Sequence, residues 1–325
     1  MISMVCRLLL CLSLLVAGAA RAEWYSEEAA KMGTRMEVRL WHENEAEARR
    51  LIAVAMAEFD RIEAAMSTYR DDSEISRVNR LAANEPVVVS EEFYRLIERS
   101  LGMSVLSQGA FDITFDSVGQ LYDFRKHERP SVAEIREHLP QIDYRHVVLD
   151  PAKRTIRFTT PGTRINLGGI AKGYSVERVI ELLREAGVRH AFATAGGDTR
   201  LLGDRRGQPW TVGIRDPDDP KKLVTSLSLA DEAISTSGDY ERFFDEDGVR
   251  YHHILDPKTG ASAHGVRSVT IVGPDAVMTE GLTKTVFILG PDKGLAIVES
   301  VGDYEAVIVD DRHRVLFSKG LAAAQ

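Results

Sequence analysis

The stretch Arg164-Ile165-Asn166-Leu167-Gly168-Gly169-Ile170-Ala171-Lys172-Gly173-Tyr174 constrains this chain more than any other. A short apolar run breaks at two glycines and then enters a segment of helical spacing with a lysine in its first turn. Glycines let the backbone approach a ligand closely, and the free N–H groups at a helix start attract anions, phosphate above all. The residue order matches neither common nucleotide fingerprint. G-x-G-x-x-G needs its third glycine elsewhere, and G-x-x-x-x-G-K-[ST] does not occur. The loop therefore points to a phosphate-bearing ligand on a less common fold.

An apolar run from Leu8 to Ala17 follows Arg7 and closes on Ala20-Arg21-Ala22, an A-x-A cleavage pattern. Residues 1–22 read as a secretory signal peptide, with an uncleaved anchor as the alternative. The run is short for a bilayer span. Cys6 and Cys11, the two cysteines of the chain, both lie inside it. Removing it would leave no disulfide, no thiolate nucleophile and no cysteine-bound metal. The leader's charged residues are basic, so the domain expected over residues 23–325 is more acidic than the formal −8 of the whole chain. The signal peptide makes this an exported protein, expected to be periplasmic and soluble or associated with the inner membrane, and its acidic sign argues against nucleic acid as a partner.

Ile52, Ala55, Phe59, Ile62 and Met66 recur at three- and four-residue spacing and predict a helix from Glu45 to Met66. Further helices are expected over residues 91–107, from Ser131 (as cap) to Glu137, and from the glycine loop to Glu185 before Gly187. Val147–Leu149 and Thr155–Thr159 read as a hairpin through Asp150-Pro151. From His190 on, short strands dominate: 191–194, 210–214, 224–229, 233–236, 251–255, 268–272, 306–309 and 315–317. Helices near 279–289 and 293–300 interrupt them. This pattern predicts an α+β fold with largely antiparallel sheets, flanking helices and two intimate lobes.

Three polar clusters follow short apolar strands: Gly196-Gly197-Asp198, Ser237-Gly238-Asp239-Tyr240 and His253-Ile254-Leu255-Asp256-Pro257-Lys258-Thr259-Gly260. Each alone is an ordinary turn; together they read as loops converging on one site. His253 is a candidate base with Asp256 orienting it, and a hydrogen-bonded core histidine is the alternative.

With Met32-Gly33-Thr34, Ser67-Thr68-Tyr69-Arg70, Asp72-Ser73-Glu74-Ile75-Ser76, Gly109-Ala110-Phe111-Asp112 and Val286-Phe287-Ile288-Leu289-Gly290, these motifs cover nearly the whole chain after the leader. In this order they resemble the ApbE-type FAD:protein FMN transferases. The resemblance implies that FAD is the donor and that FMN is joined through its phosphate to a Thr or Ser of an exported flavoprotein. AMP is released. The implied acceptor carries D-x-x-[ST]-G-A-[ST] and belongs to a membrane-associated electron-transfer system. Met32, Tyr69, Ala110, Phe111, Asp112, Asn166, Lys172, Gly197, Asp198, Ser237, Asp239 and Ile254 are implied flavin-site residues, with His253 activating the acceptor hydroxyl. Tyr69 could equally be a structural plug, and Met32 a core residue.

The family's magnesium site combines a glycine-loop carbonyl, here at Gly169, with an Asp and a Thr four residues later. This chain has Glu280 and Lys284 at those two places. Positions four apart share a helix face. Three expectations follow. Lys284 supplies positive charge at the pyrophosphate, held by Glu280; or Glu280 and Thr283 keep the ion; or the pair is an ordinary i,i+4 salt bridge. The altered pair also leaves room for a FAD pyrophosphatase or a non-catalytic FAD-binding module. Asp256–Ser262 itself reads D-P-K-T-G-A-S, so self-flavinylation at Ser262 is one further expectation.

Overall fold

Two strands precede the first expected helix. In the second, Met36, Val38 and Leu40 are buried while the residues between them are not, the alternation of a strand with one face on a core. The structure, a computed structural model, describes residues 23–323; the expected leader and both cysteines lie outside the described residues.

One antiparallel sheet of eight strands carries the molecule. Its strands are β1 (Glu23–Lys31), β2 (Thr34–His42), β3 (Ala191–Ala195), β4 (Asp198–Leu202), β5 (Ala233–Gly238), β6 (Val266–Gly273), β7 (Glu305–Asp310) and β8 (Val315–Phe317). They lie side by side in chain order. The sheet is thus a meander, and everything else is inserted between neighbours.

Helices cover it in the same order. Helix α1 (Glu45–Met66) packs on β1 and β2, and α3 (Ala171–Glu185) on β3 and β4. Helix α4 (Ala276–Leu289) packs on β5 and β6 and also touches α3. The insertion between β2 and β3 holds α2 (Glu91–Leu106) and a small antiparallel sheet of Val87–Val88, Thr155–Phe158 and Val147–Asp150. Helix starts are written locally: Asn44, Ser90 and Ser131 each accept a backbone N–H, and Ser131 forms a full capping box with Glu134.

The core splits into two clusters. One lies between α1, α3 and β1–β3; the other joins α2, α4, β6 and the small sheet. The neighbours Ala276 and Val277 at the start of α4 fall one into each, so α4 is shared between the two. The α+β architecture and antiparallel pairing agree with the sequence. Two boundaries differ. The strand expected over 251–255 spans Val249–His252, paired with Phe243–Glu246, and ends where Ile254 N–H turns back toward His252 Nδ1. Gly196 and Gly197 form a tight turn between β3 and β4, so Asp198 opens a strand that sequence reasoning did not anticipate. Gly196 is needed there because its φ of 63° lies in the left-handed region.

Candidate active site

Helix α3 begins without a side-chain cap at Ile170. Its free N–H at Gly173 donates instead to Glu280 Oε2 on α4, at 2.7 Å. The helix start does attract an anion, as the sequence implied, but the anion is an internal carboxylate. Close approach makes this possible: a Cβ on Gly173 would lie 2.1 Å from the Ala276 carbonyl oxygen. Gly173 is therefore a packing glycine between α3 and α4.

Four charged side chains meet at this point. Lys172 Nζ donates to Asp198 Oδ2 and, at 2.5 Å, to Glu280 Oε1; Lys284 Nζ donates to the same Glu280 oxygen at 3.3 Å. Glu280 is fully buried and Asp198 is 1% exposed, while the Lys172 and Lys284 side chains keep 23% and 15% exposure. Buried carboxylates persist only when paired, and here two ammonium groups balance two carboxylates. Burial alone would raise the Glu280 carboxyl, but Lys172 and Lys284 overcome it and hold it below the usual range. Burial and the neighbouring Glu280 charge raise Asp198. Burial lowers Lys284, whereas Lys172, though buried as well, is held up by both carboxylates. Asp198 Oδ1 is buried without a partner among the described residues.

The remaining predicted residues fall into three groups. Some stand around the quartet. Gly169 is beside Lys284 and Phe111: a Cβ there would meet Phe111 at 3.3 Å and the Lys284 stem at 3.8 Å. Gly197 packs so closely on β5 that a Cβ would lie 2.4 Å from the Thr236 carbonyl oxygen. His253 senses the same charges. Burial first, then Lys284 and Arg242, push its ring down to about 3, and its Nδ1 has no hydrogen-bond partner among the described residues.

A second group is spent on holding loops. Asn166 donates to Asp116 at 2.9 Å and accepts from Gly168 N–H at 2.8 Å, which fixes the glycine loop. Asp116, buried and also bound to Arg164, escaped the sequence analysis; its signal was the second acid four residues after Asp112. Asp112 accepts from Thr114 and from Tyr144 N–H, so its carboxylate is a turn cap. Asp239 pairs with Arg267 at 2.9 Å and faces Arg250. Ala110 and Ile254 are buried apolar residues of the surrounding wall. Met32 occupies the β1–β2 turn with φ of 49°, its N–H bound to Glu63, and packs against both core clusters. Tyr69 is 93% exposed, so the structural-plug alternative fails; a ring that free is available for stacking.

Three expectations are corrected. Asp256 does not orient His253: its side chain accepts from Lys258 N–H and its carbonyl from Gly260 N–H, which closes its own turn. Thr283 does not face the glycine loop. Its hydroxyl donates to the Glu280 carbonyl and pairs with Ser237 at 2.8 Å, just as Thr279 pairs with Ser235. Four helical residues rise about 6 Å and two strand residues about 6.8 Å, so the two ladders stay in step and seal α4 to β5. Ser262 is buried with its hydroxyl donating to the His252 carbonyl and accepting from His252 N–H, which leaves no free hydroxyl for flavinylation.

The donors implied for magnesium do not fit a divalent cation. Both Glu280 oxygens are occupied, the Thr283 hydroxyl points at β5, and two ammonium groups stand beside the carboxylate. At an effective dielectric near 20, each ammonium about 4 Å from a +2 ion repels it by about 8 kcal/mol, which offsets the comparable attraction of the carboxylate it pairs with and leaves the corner no net pull on a cation. The ordinary salt-bridge reading also fails, because Glu280 is fully buried and shares its carboxylate between Lys284 and Lys172.

The ApbE family profile matches residues 32–308. The chain belongs to the ApbE family. It is 32% identical over 298 residues to a FAD:protein FMN transferase of Klebsiella pneumoniae, covering 90% of this chain and 92% of that one. A FAD:protein FMN transferase of Treponema pallidum is 33% identical, with 94% and 89% covered. The crystal structure of the ApbE protein of Thermotoga maritima superimposes with a TM-score of 0.86 at 32% identity over 93% of this chain and 99% of that one. The flavin transferase ApbE of Vibrio cholerae gives 0.84 at 28% identity, with 93% and 99% covered.

Proposed function

We propose that this ApbE-family chain is a FAD:protein FMN transferase, exported to the periplasm, that flavinylates a hydroxyl of a partner flavoprotein. The observation that carries this is the near full-length similarity to chains of that name, joined to a charged corner where the glycine loop meets α4 and whose charge is felt at His253. The A-x-A leader supports export.

In the proposed step, a Thr or Ser oxygen of a D-x-x-[ST]-G-A-[ST] segment attacks the FMN-side phosphorus of FAD. The new bond is acceptor oxygen to phosphorus; the bond that breaks joins that phosphorus to the bridging oxygen, and AMP leaves with the electron pair. The hydroxyl proton passes to the neutral ring of His253. A base so far depressed is weak in the free protein, and the pyrophosphate's negative charge beside it raises its proton affinity when FAD is bound. In this reading the cations of the corner offset the charge that develops on the transferring phosphate.

The test is intact-mass spectrometry of an acceptor domain bearing the motif, incubated with the purified protein and FAD. An added FMN on the acceptor, lost on His253→Gln and on Thr/Ser→Ala at the motif, is expected. FMN released free with an unmodified acceptor would mean a pyrophosphatase; intact FAD with an unmodified acceptor would mean a flavin-binding module.

A further inference from the structure

We propose that the Lys284 ammonium does the work of a divalent cation in this chain: it contacts the pyrophosphate directly, and FMN transfer needs no metal ion. The inference rests on the transferase reading above and specifies how its phosphate charge is met.

Three observations carry it. First, the charge balance around Glu280 closes without an ion, since Lys172 and Lys284 face Glu280 and Asp198. Second, three of the four acceptor sites of the carboxylate that would bind an ion are already taken: Oε1 accepts from both lysines and Oε2 from Gly173 N–H. Third, Lys284 is the under-used cation of the pair. Lys172 is held between two carboxylates, whereas Lys284 has one acceptor among the described residues, at 3.3 Å. An ammonium has three donors, so Lys284 retains two for a ligand. Its stem runs past Gly169, the residue at which a side chain would fill the space between the loop and α4. His253 lies within reach of the same charge. Lys284 thus stands beside the glycine loop, and its charge is felt at the base that receives the proton. The bonds made and broken are those given above; Lys284 neutralises the phosphate oxygens and the leaving AMP without gaining or losing a covalent bond.

Two measurements test this independently. Adduct formation on the acceptor domain is followed with EDTA and with added magnesium, in the wild type, in Lys284→Met, in Lys284→Arg and in Glu280→Asp/Lys284→Thr. The wild-type rate should agree within about twofold in EDTA and magnesium. Lys284→Met should lose about 100-fold or more, the size seen when one transition-state donor is removed, and Lys284→Arg should recover part of it. In parallel, Mn²⁺ is titrated into each protein without FAD and read by electron paramagnetic resonance. The wild type should leave the free-ion spectrum unchanged, and the Glu280→Asp/Lys284→Thr double variant should bind the ion. Wild-type transfer that disappears in EDTA and returns with magnesium overturns the inference and leaves the transferase reading intact. So does Mn²⁺ binding by the wild type that matches the Glu280→Asp/Lys284→Thr double variant. Lys284→Met with full activity overturns it as well. No adduct under any condition breaks the transferase reading and Lys284's part in it, while the Mn²⁺ titration still decides whether an ion site exists.

Discussion

Helix α3 takes part in two charge clusters that obey different physics. At its first turn Lys172 joins Asp198, Glu280 and Lys284 in a buried corner. Farther along, Tyr174 and Arg178 join Arg61, Glu58 and Glu92 nearer the surface, where Arg61 keeps 48% exposure and forks onto Glu58 and Glu92 at 2.6–2.8 Å. The surface cluster has the more numerous short bonds. It nevertheless matters less to stability, because water takes the place of any partner removed and competes for those present. In the buried corner no water stands ready, and each carboxylate depends on its ammonium. Bond count misleads here, and burial decides.

The sharpest way to break this contrast is Lys172→Met, which leaves Glu280 and Asp198 facing only Lys284. A loss of about 3–5 kcal/mol is expected in urea unfolding; a loss below about 1 kcal/mol would mean that the corner is effectively wet. The next test uses pH. Burial pushes His252 down to about 4 and His253 to about 3. Both folded values lie below the unfolded histidine value of about 6.5, so in that window the unfolded chain binds protons the folded chain refuses. Their contribution is therefore complete above about pH 6.5 and falls away as pH drops toward about 3–4. Between pH 7 and 5 the loss should be on the order of 1–2 kcal/mol per histidine, and His253→Gln should flatten the slope of the unfolding midpoint against pH. An unchanged slope would show that the His253 ring is solvated. The smallest effect belongs to the surface: Arg61→Ala should cost less than about 1 kcal/mol and be blunted further by salt. A deficit matching that of Lys172→Met would erase the distinction.

How far the sequence carried depends on the range of the forces involved. Helix α1 was legible from end to end because its apolar stripe and the cap at Asn44 act within a turn or two. The helix after Ser131 was legible for the same reason, through its capping box. Strands β1 and β2 were not foreseen: β1 has little burial to give it a pattern, and the alternation of β2 acquires meaning only against β3 and α1.

At the site, the motifs and the i,i+4 relation of Glu280 and Lys284 determined which residues would gather, since helix periodicity alone sets them on one face. The sequence by itself also determined the acidic balance, the leader pattern and the glycine loop. Only the tertiary structure decided what the residues do with their bonds. Glu280 caps a helix far from it in sequence, Thr283 pairs with β5 instead of the loop, Asp256 closes its own turn, and Ser262 is buried against His252. Each outcome turns on which groups meet after α3, α4 and the sheet have packed. A buried polar atom must then take whichever partner lies within about 3 Å, whatever its neighbours in sequence would favour.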